Sequence, residues 1–531
     1  MKKICKLLAV SWILLLGCES LRAELPEVCS PQWLKIFFDK SGGALNTMGG
    51  RFYNFMCLHC GEFNRYAGNP WKNRTVIWDP QRPDEFKCLK CGKITTKDTC
   101  PPVSVQYAYG RQFESHRPMN KKGGRYLLFP NLRRTKAEYA FQKVICPMAQ
   151  KAADARDPKL AAKALRGLVA FAEYYKSYMY DVRTVDSGGM KHTLIVRFGH
   201  PLNATYGRIW RFGDGGTTRA FCNAFNNIRH TGVKVSPRDY ATCRAMAESA
   251  LSDIGLPCLR DRLGLGNAMT RIYSDGISAA RTFPDAKFMD RDERDRTRRI
   301  LSSDDLIHEL FFGRHSLSAL VDNYYTPDGF MRERSPEYHS MSQNGLKAAI
   351  GYFKGYRTPE NYNPEKRGYR RIAKDLDSYP NIARSLKILQ EITFPDGTNI
   401  PLTDSAGNFD RNARPPQTTT IHPGWGVGIL RKGKAPALSC AALSWGASAV
   451  GHGHNDLLQI MFWSDNRIML NDTEYPHGKH RKYSANSPAS HNCVLIDGAD
   501  YIRWIDAQEF SFYGESPLAG VMQAYTQQVY D

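Results

Sequence analysis

The sequence predicts an α+β, multidomain chain: a small cysteine-rich module, then a long helical region forming a bundle or toroid, then an all-β C-terminal domain. Three observations carry this. Two similar knuckles, Cys57-Leu-His-Cys60-Gly and Cys88-Leu-Lys-Cys91-Gly, are separated by 27 residues. Apolar residues recur at three- and four-residue spacing from about Thr135 to Leu402. After Pro415 the pattern changes to short alternating apolar runs. With 531 residues and 42% hydrophobic content, the chain has enough apolar side chains for several cores.

The first 23 residues read as an export signal. Lys2, Lys3 and Lys6 precede an apolar run from Leu7 to Leu16 that is too short to span a bilayer comfortably. Leu15-Leu16-Gly17-Cys18 then has the form of a lipobox at 15–18, in which Cys18 is acylated and becomes the mature N-terminus; ordinary cleavage after Ala23 is the alternative. The expected location is the periplasm or cell envelope, with a lipid anchor in the outer membrane as the only membrane contact. The formal charge is +21, falling to +18 once the three leader lysines are lost. Such a surface attracts polyanions, and for an exported chain the expected partner is acidic polysaccharide rather than nucleic acid. A merely basic surface is the competing explanation.

Within 45–105, each C-x-x-C-G turn points two thiolates at one ion, so Cys57, Cys60, Cys88 and Cys91 form a tetrahedral zinc set. Four sulfurs close the coordination sphere, which makes this zinc structural. Two disulfides or a redox pair are the alternatives, and the doubled knuckle without a thioredoxin-like context argues against both.

In the helical region, 130–410, Pro158 to Tyr178 places Leu165, Leu168, Ala172 and Tyr175 on one face. Ser236-Pro237-Arg238-Asp239 starts another helix, with a serine cap and proline in the first turn. Further helices are expected over Asn267–Arg281, Asp305–Tyr325, His339–Tyr356 and Arg367–Gln390. The charged run Arg291–Arg299 reads as a solvated insertion. In the β domain, 415–531, strands are expected over Gly426–Leu430, Ala437–Trp445, Asn492–Ile496 and Leu518–Tyr530. A hairpin joins Leu457–Trp463 to Ile468–Leu470 across Ser464-Asp465-Asn466-Arg467. The last apolar stretch ends without a turn or polar tail, which points to a truncated C-terminus.

The chemistry concentrates around Gly451-His452-Gly453-His454-Asn455-Asp456. His452 and His454 alternate at the entry to a strand and so share a face. Asp472 follows the hairpin's return strand, and His491 begins the next. Two imidazoles and a carboxylate from adjacent strands suit a zinc shell with a fourth position for water or another oxygen.

These motifs, with Asn471-Asp472-Thr473 and the stretch Tyr483 to Gly498 containing Ser490-His491-Asn492, resemble the signature of heparinase II/III-like polysaccharide lyases. The helical half agrees through Asp328 to His339, including Glu333-Arg334-Ser335-Pro336-Glu337-Tyr338, and through Phe394 to Asp404. The resemblance spans roughly residues 130 to 530. It implies an incomplete (α/α) toroid packed on an antiparallel β-sandwich, with the site in the cleft between them. It also implies β-elimination at a uronic acid. Tyr338 is then the base, the acid, or both in turn; His452 is the active-site histidine; His454, Asp472 and His491 hold a second zinc that shapes the cleft floor. Asn267 neutralises the substrate carboxylate, with Asn226-Asn227-Ile-Arg-His230 as the competing candidate. The family often places a His beside that Asn; here the place is taken by Ala268. Glu333 and Arg334 lie near this cleft; Arg334 contacts a substrate carboxylate or sulfate, or forms a surface salt bridge. Two other readings stand beside the lyase: a toroid glycoside hydrolase using Asp404 and Glu333 as its carboxylates, and a carbohydrate-binding lipoprotein without catalysis. Heparan sulfate, chondroitin and alginate all carry the required uronate, so the polymer stays open.

Overall fold

The structure, a computed structural model, describes principally residues 26–38, 137–176, 216–256, 269–292, 297–372, 379–405, 414–434, 437–446, 452–472, 487–499 and 508–526, with short stretches between 59 and 112 and between 179 and 197. The export signal with Cys18, and also Cys57 and Asn267, lie outside the described residues. The chain divides into two compact units, Met1–Gly264 with Asp275–Ile307, and Leu265–Ser274 with His308–Asp531.

In the first unit, helices α1 (Pro31–Phe38), α2 (Cys146–Ala155), α3 (Pro158–Lys176), α4 (Thr217–His230) and α5 (Pro237–Ala250) surround an aromatic core. Phe141 stacks on Phe171 with centroids 4.1 Å apart, and Phe38, Tyr175 and Phe221 pack around Phe171. Helix α5 starts as expected: the Ser236 hydroxyl accepts from the Asp239 amide, and Pro237 takes the first turn. Strands β1 (Val76–Trp78), β2 (Glu85–Cys88) and β3 (Ile94–Thr96) form a small antiparallel sheet.

The charged run, expected as a solvated insertion, includes parts of a strand pair. Strands β4 (Lys287–Asp292) and β5 (Thr297–Ser302) pair antiparallel, with Phe288, Asp290 and Leu301 buried. Buried Asp290 is matched by Arg299 opposite it, whose Nε lies 2.8 Å from Oδ2. The alternation of buried and more exposed side chains over 287–290 is that of a strand.

Across the two units run α6 (Met269–Thr282) and α7 (Ser303–Phe312). The second unit continues with α8 (Leu317–Tyr324), α9 (Pro336–Phe353) and α10 (Pro380–Ser385). The single helix expected over Asp305–Tyr325 is two, because Ser316 caps a new start by accepting from the Ala319 amide. The helix expected over Arg367–Gln390 is also absent as such: Pro380 begins a six-residue helix, and 3-10 turns occupy Glu365–Arg367 and Ile388–Ile392.

Strands β6 (Thr420–His422), β7 (Val427–Lys432), β8 (Ser439–Ser444), β9 (Gln459–Ser464) and β10 (Arg467–Leu470) form one antiparallel sheet in sequence order. Its inner face, with Val427, Ile429, Cys440, Ala442, Met461 and Trp463, packs on Phe330, Phe394, Ile400, Leu402 and Trp425. Asp465 and Asn466 take left-handed backbone between β9 and β10, as a tight two-residue hairpin turn requires. A second hairpin, β11 (Gln508–Glu515) with β12 (Gly520–Thr526), packs on β7, and Trp445 stacks on Phe510. The strand expected at Asn492–Ile496 is irregular chain, although the Asn492 carbonyl still accepts from the Ile460 amide. The described architecture is thus a helical region followed by antiparallel sheets. No described helix is long and apolar enough to cross a membrane.

Candidate active site and metal centre

The site is built inside the second unit, where the start of α9 meets the loop ahead of β9. Ser335 is the N-cap of α9: its hydroxyl accepts from the Tyr338 amide and donates to the Asp404 carbonyl, at 2.8 Å. One side chain therefore sets the helix start and ties it to residue 404. Pro336 at the first turn and Glu337 beside the helix N-terminus favour the same start.

Tyr338, half-buried, lies flat on His452, with ring centroids 3.6 Å apart and planes at 21°. His452 Nδ1 lies 2.8 Å from Asp404 Oδ2, and its Nε2 lies 3.8 Å from Glu333 Oε2. The Tyr324 hydroxyl donates to the other Glu333 oxygen at 3.0 Å. Glu333 is 8% exposed and Asp404 fully buried, so the imidazole sits between two carboxylates sheltered from water.

His454 Nε2 takes the second oxygen of Asp404, at 3.0 Å. Its Nδ1 is buried with no hydrogen-bond partner. His491 Nδ1 lies 2.7 Å from Asp472 Oδ1. His454, Asp472 and His491 are all buried, and one ligand atom from each lies within 4.8 Å of the others. An orphaned buried imidazole nitrogen beside a carboxylate and a second imidazole fits a zinc ion. The histidines do not converge through a shared strand face, because 452–458 is a turn that precedes β9, and His491 follows a 3-10 turn, Pro488–Ser490. Both rings instead face the two oxygens of one carboxylate, Asp404.

Arg334 departs from its expectation as a substrate contact. Its side chain is buried; Nε donates to the Trp425 carbonyl at 3.2 Å, one terminal nitrogen to the Gly446 carbonyl, and the other to Ser444 Oγ at 2.8 Å. Burial lowers the guanidinium pKa from its ordinary value, and the negative charge of Asp456 opposes that shift. The group anchors the chain where β7 begins and β8 ends, and is not a free cation. Arg334, Thr403 and Leu458 all hold left-handed backbone, although none is glycine. Such strain gathers where surrounding bonds overdetermine the chain, as they do here.

His339, beside Tyr338, points into the core, where Nδ1 accepts from the Met331 amide at 3.1 Å. Burial pushes its pKa down to about 4. Tyr324 and the bridging position of Asp404 are the functional features that sequence reasoning missed. Asp404 ended a recognised motif, but its partners lie 48 and 50 residues further on.

In the first unit, Cys60, Cys88 and Cys91 bring their sulfurs within 4.8 Å of one another, with Cys60 Sγ 3.8 Å from Cys88 Sγ. Cys88 closes β2, and the Gly92 amide donates back to its carbonyl, with Gly92 at φ +68°. None of the three is in a disulfide. The three thiols fit a zinc site.

No protein-family model and no curated protein matches the sequence. Among solved structures, a heparinase III described as the BT4657 gene product gives a TM-score of 0.49 at 13% identity, over 76% of this chain and 60% of that one. The heparan sulfate lyase HepC from Pedobacter heparinus gives 0.47 at 13% identity, over 75% and 58%. The chain is structurally similar to these enzymes over about three quarters of its length. It spans about 60% of theirs.

Proposed function

We propose that this protein is an exported polysaccharide lyase, an (α/α) toroid joined to a β-sandwich, that cleaves a uronic-acid-containing polysaccharide by β-elimination. The observation that carries this reading is the Tyr338–His452 stack, with His452 fixed by Asp404. The C5 proton of a uronate is weakly acidic, because its removal builds a second negative charge beside the carboxylate. Asn267 is the proposed partner that neutralises that carboxylate. Tyr338 or His452 takes the C5 proton; the C5–H electron pair becomes the C4=C5 double bond; the C4–O4 bond breaks, and the departing oxygen receives a proton from the other member of the pair. Positioned acid–base groups contribute on the order of 10²- to 10⁴-fold each. A zinc held by His454, Asp472 and His491 would supply rigidity to the loop carrying His452. The cysteine cluster would hold a second, structural zinc.

The geometry speaks against the hydrolase reading. A glycosidase carboxyl must touch the scissile bond, whereas Asp404 is fully buried with both oxygens on histidines. The test is digestion of a panel of uronate polymers, heparan sulfate, chondroitin and alginate among them, followed by ultraviolet absorbance of the new double bond. The wild-type protein yields an absorbing product, and Tyr338→Phe lowers its rate by at least about 10²-fold. Reducing ends without absorbance would establish hydrolysis. Polymer binding that survives Tyr338→Phe, with no product from either protein, would establish a binding protein.

A further inference from the structure

One buried residue of the site belongs to neither the acid–base pair nor the proposed metal shell. Asp404 is fully buried, and its hydrogen bonds reach both histidines and the α9 cap. Its Oδ2 faces His452 Nδ1, and its Oδ1 faces His454 Nε2. Its amide donates to the His452 carbonyl at 3.2 Å, and its carbonyl accepts from Ser335, the cap of the helix carrying Tyr338.

A carboxylate only accepts hydrogen bonds, so both ring nitrogens facing it must carry their hydrogens. That assigns two tautomers at once. His452 is protonated on Nδ1, leaving the Nε2 lone pair on the side that faces Glu333. His454 is protonated on Nε2, leaving the lone pair on Nδ1, the buried atom with no hydrogen-bond partner. A carboxylate behind a metal-binding imidazole fixes its orientation and raises its basicity. Here the second oxygen of the same carboxylate orients the neighbouring proton-transfer imidazole.

We propose that Asp404 is a positioning residue that sets the tautomer and ring plane of His452 and His454 together, coupling the proton-transfer pair to the metal shell through one side chain. The His452 half rests on the lyase reading; the His454 half rests only on the buried donor set.

The substitution to make is Asp404→Asn in the full chain. An amide matches the carboxylate in shape but has one acceptor oxygen, so it can serve only one ring as Asp404 does. The expected result is kcat lowered about 10- to 100-fold with KM within about twofold, and zinc lost from one of two sites at a chelator concentration lower by a similar factor. The zinc of the cysteine cluster stays in place and serves as the internal reference. If the variant folds, as judged by its melting curve, and keeps wild-type kcat and wild-type zinc retention, the proposal is overturned. Should it not fold, nitrogen-15 histidine spectra of the wild-type protein decide the matter: Nδ1–H on His452 and Nε2–H on His454 support the assignment, and the opposite tautomer on either ring sinks it. A wild-type protein that yields no unsaturated product refutes the lyase reading, while the chelation and tautomer measurements still judge the role of Asp404.

Discussion

Arg334 shows how far a residue's environment can move it from the role its type suggests. In sequence it is a cation next to an acidic residue in a catalytic-looking motif, which suits binding of a sulfate or carboxylate. In the structure its guanidinium is held by two backbone carbonyls and a serine hydroxyl, and Gly446 comes so close that a side chain there would meet it. The two roles predict different failures. As a buried anchor, Arg334→Lys leaves carbonyls unsatisfied and lowers stability by roughly 2–4 kcal/mol, read as a shift in denaturant midpoint. A substrate contact would instead raise KM with the midpoint unchanged. The same lesson explains why Asp404 could be noticed but not understood. Its place in a motif was visible, whereas its hydrogen bonds depend on a loop about fifty residues away.

At the scale of elements, local patterns were legible where the signal was itself local. The Ser236 cap, the long helix at Pro158 and the β9–β10 turn all follow from side chains within a few positions of one another. The failures came where nonlocal packing decides. The β4–β5 pair hides a strand alternation under charge because Asp290 meets its cation only across the hairpin, and the apolar run at Asn492–Ile496 does not extend the sheet. The His454–Asp472–His491 group was likewise legible as residue types but not as geometry, since its histidines arrive on turns. The start of α9 is the element on which the site depends. Removing the cap by Ser335→Ala frees the Tyr338 amide and the Asp404 carbonyl, at a cost of about 1–2 kcal/mol. Because the cap also seats Tyr338, kcat should fall more than KM changes. Stability loss without any change in kcat would show that the cap supports the helix but does not place the tyrosine.

For the whole molecule, acid destabilises the second unit through two buried imidazoles on different elements, His339 and His422. His339 on α9 and His422 at the end of β6 both have pKa values pushed down to about 4, in each case chiefly by burial, with Arg431 adding to the effect at His422. An unfolded chain returns both to the ordinary value of 6.5. Between those values the unfolded state takes up protons that the folded state refuses, so stability rises with pH across this window. Their contribution is therefore complete above about pH 6.5 and is lost progressively as the pH falls towards 4. The gap is worth on the order of 3 kcal/mol per imidazole, comparable for the two together to a large part of the stability of a typical domain. Denaturant unfolding followed from pH 7.5 to pH 4.5 should show a flat region above neutrality and a steep decline below it. His339→Gln retains an acceptor for the Met331 amide but cannot titrate, so it should remove about half of that decline while leaving the plateau in place. An undiminished slope in the variant would locate the acid sensitivity in other groups.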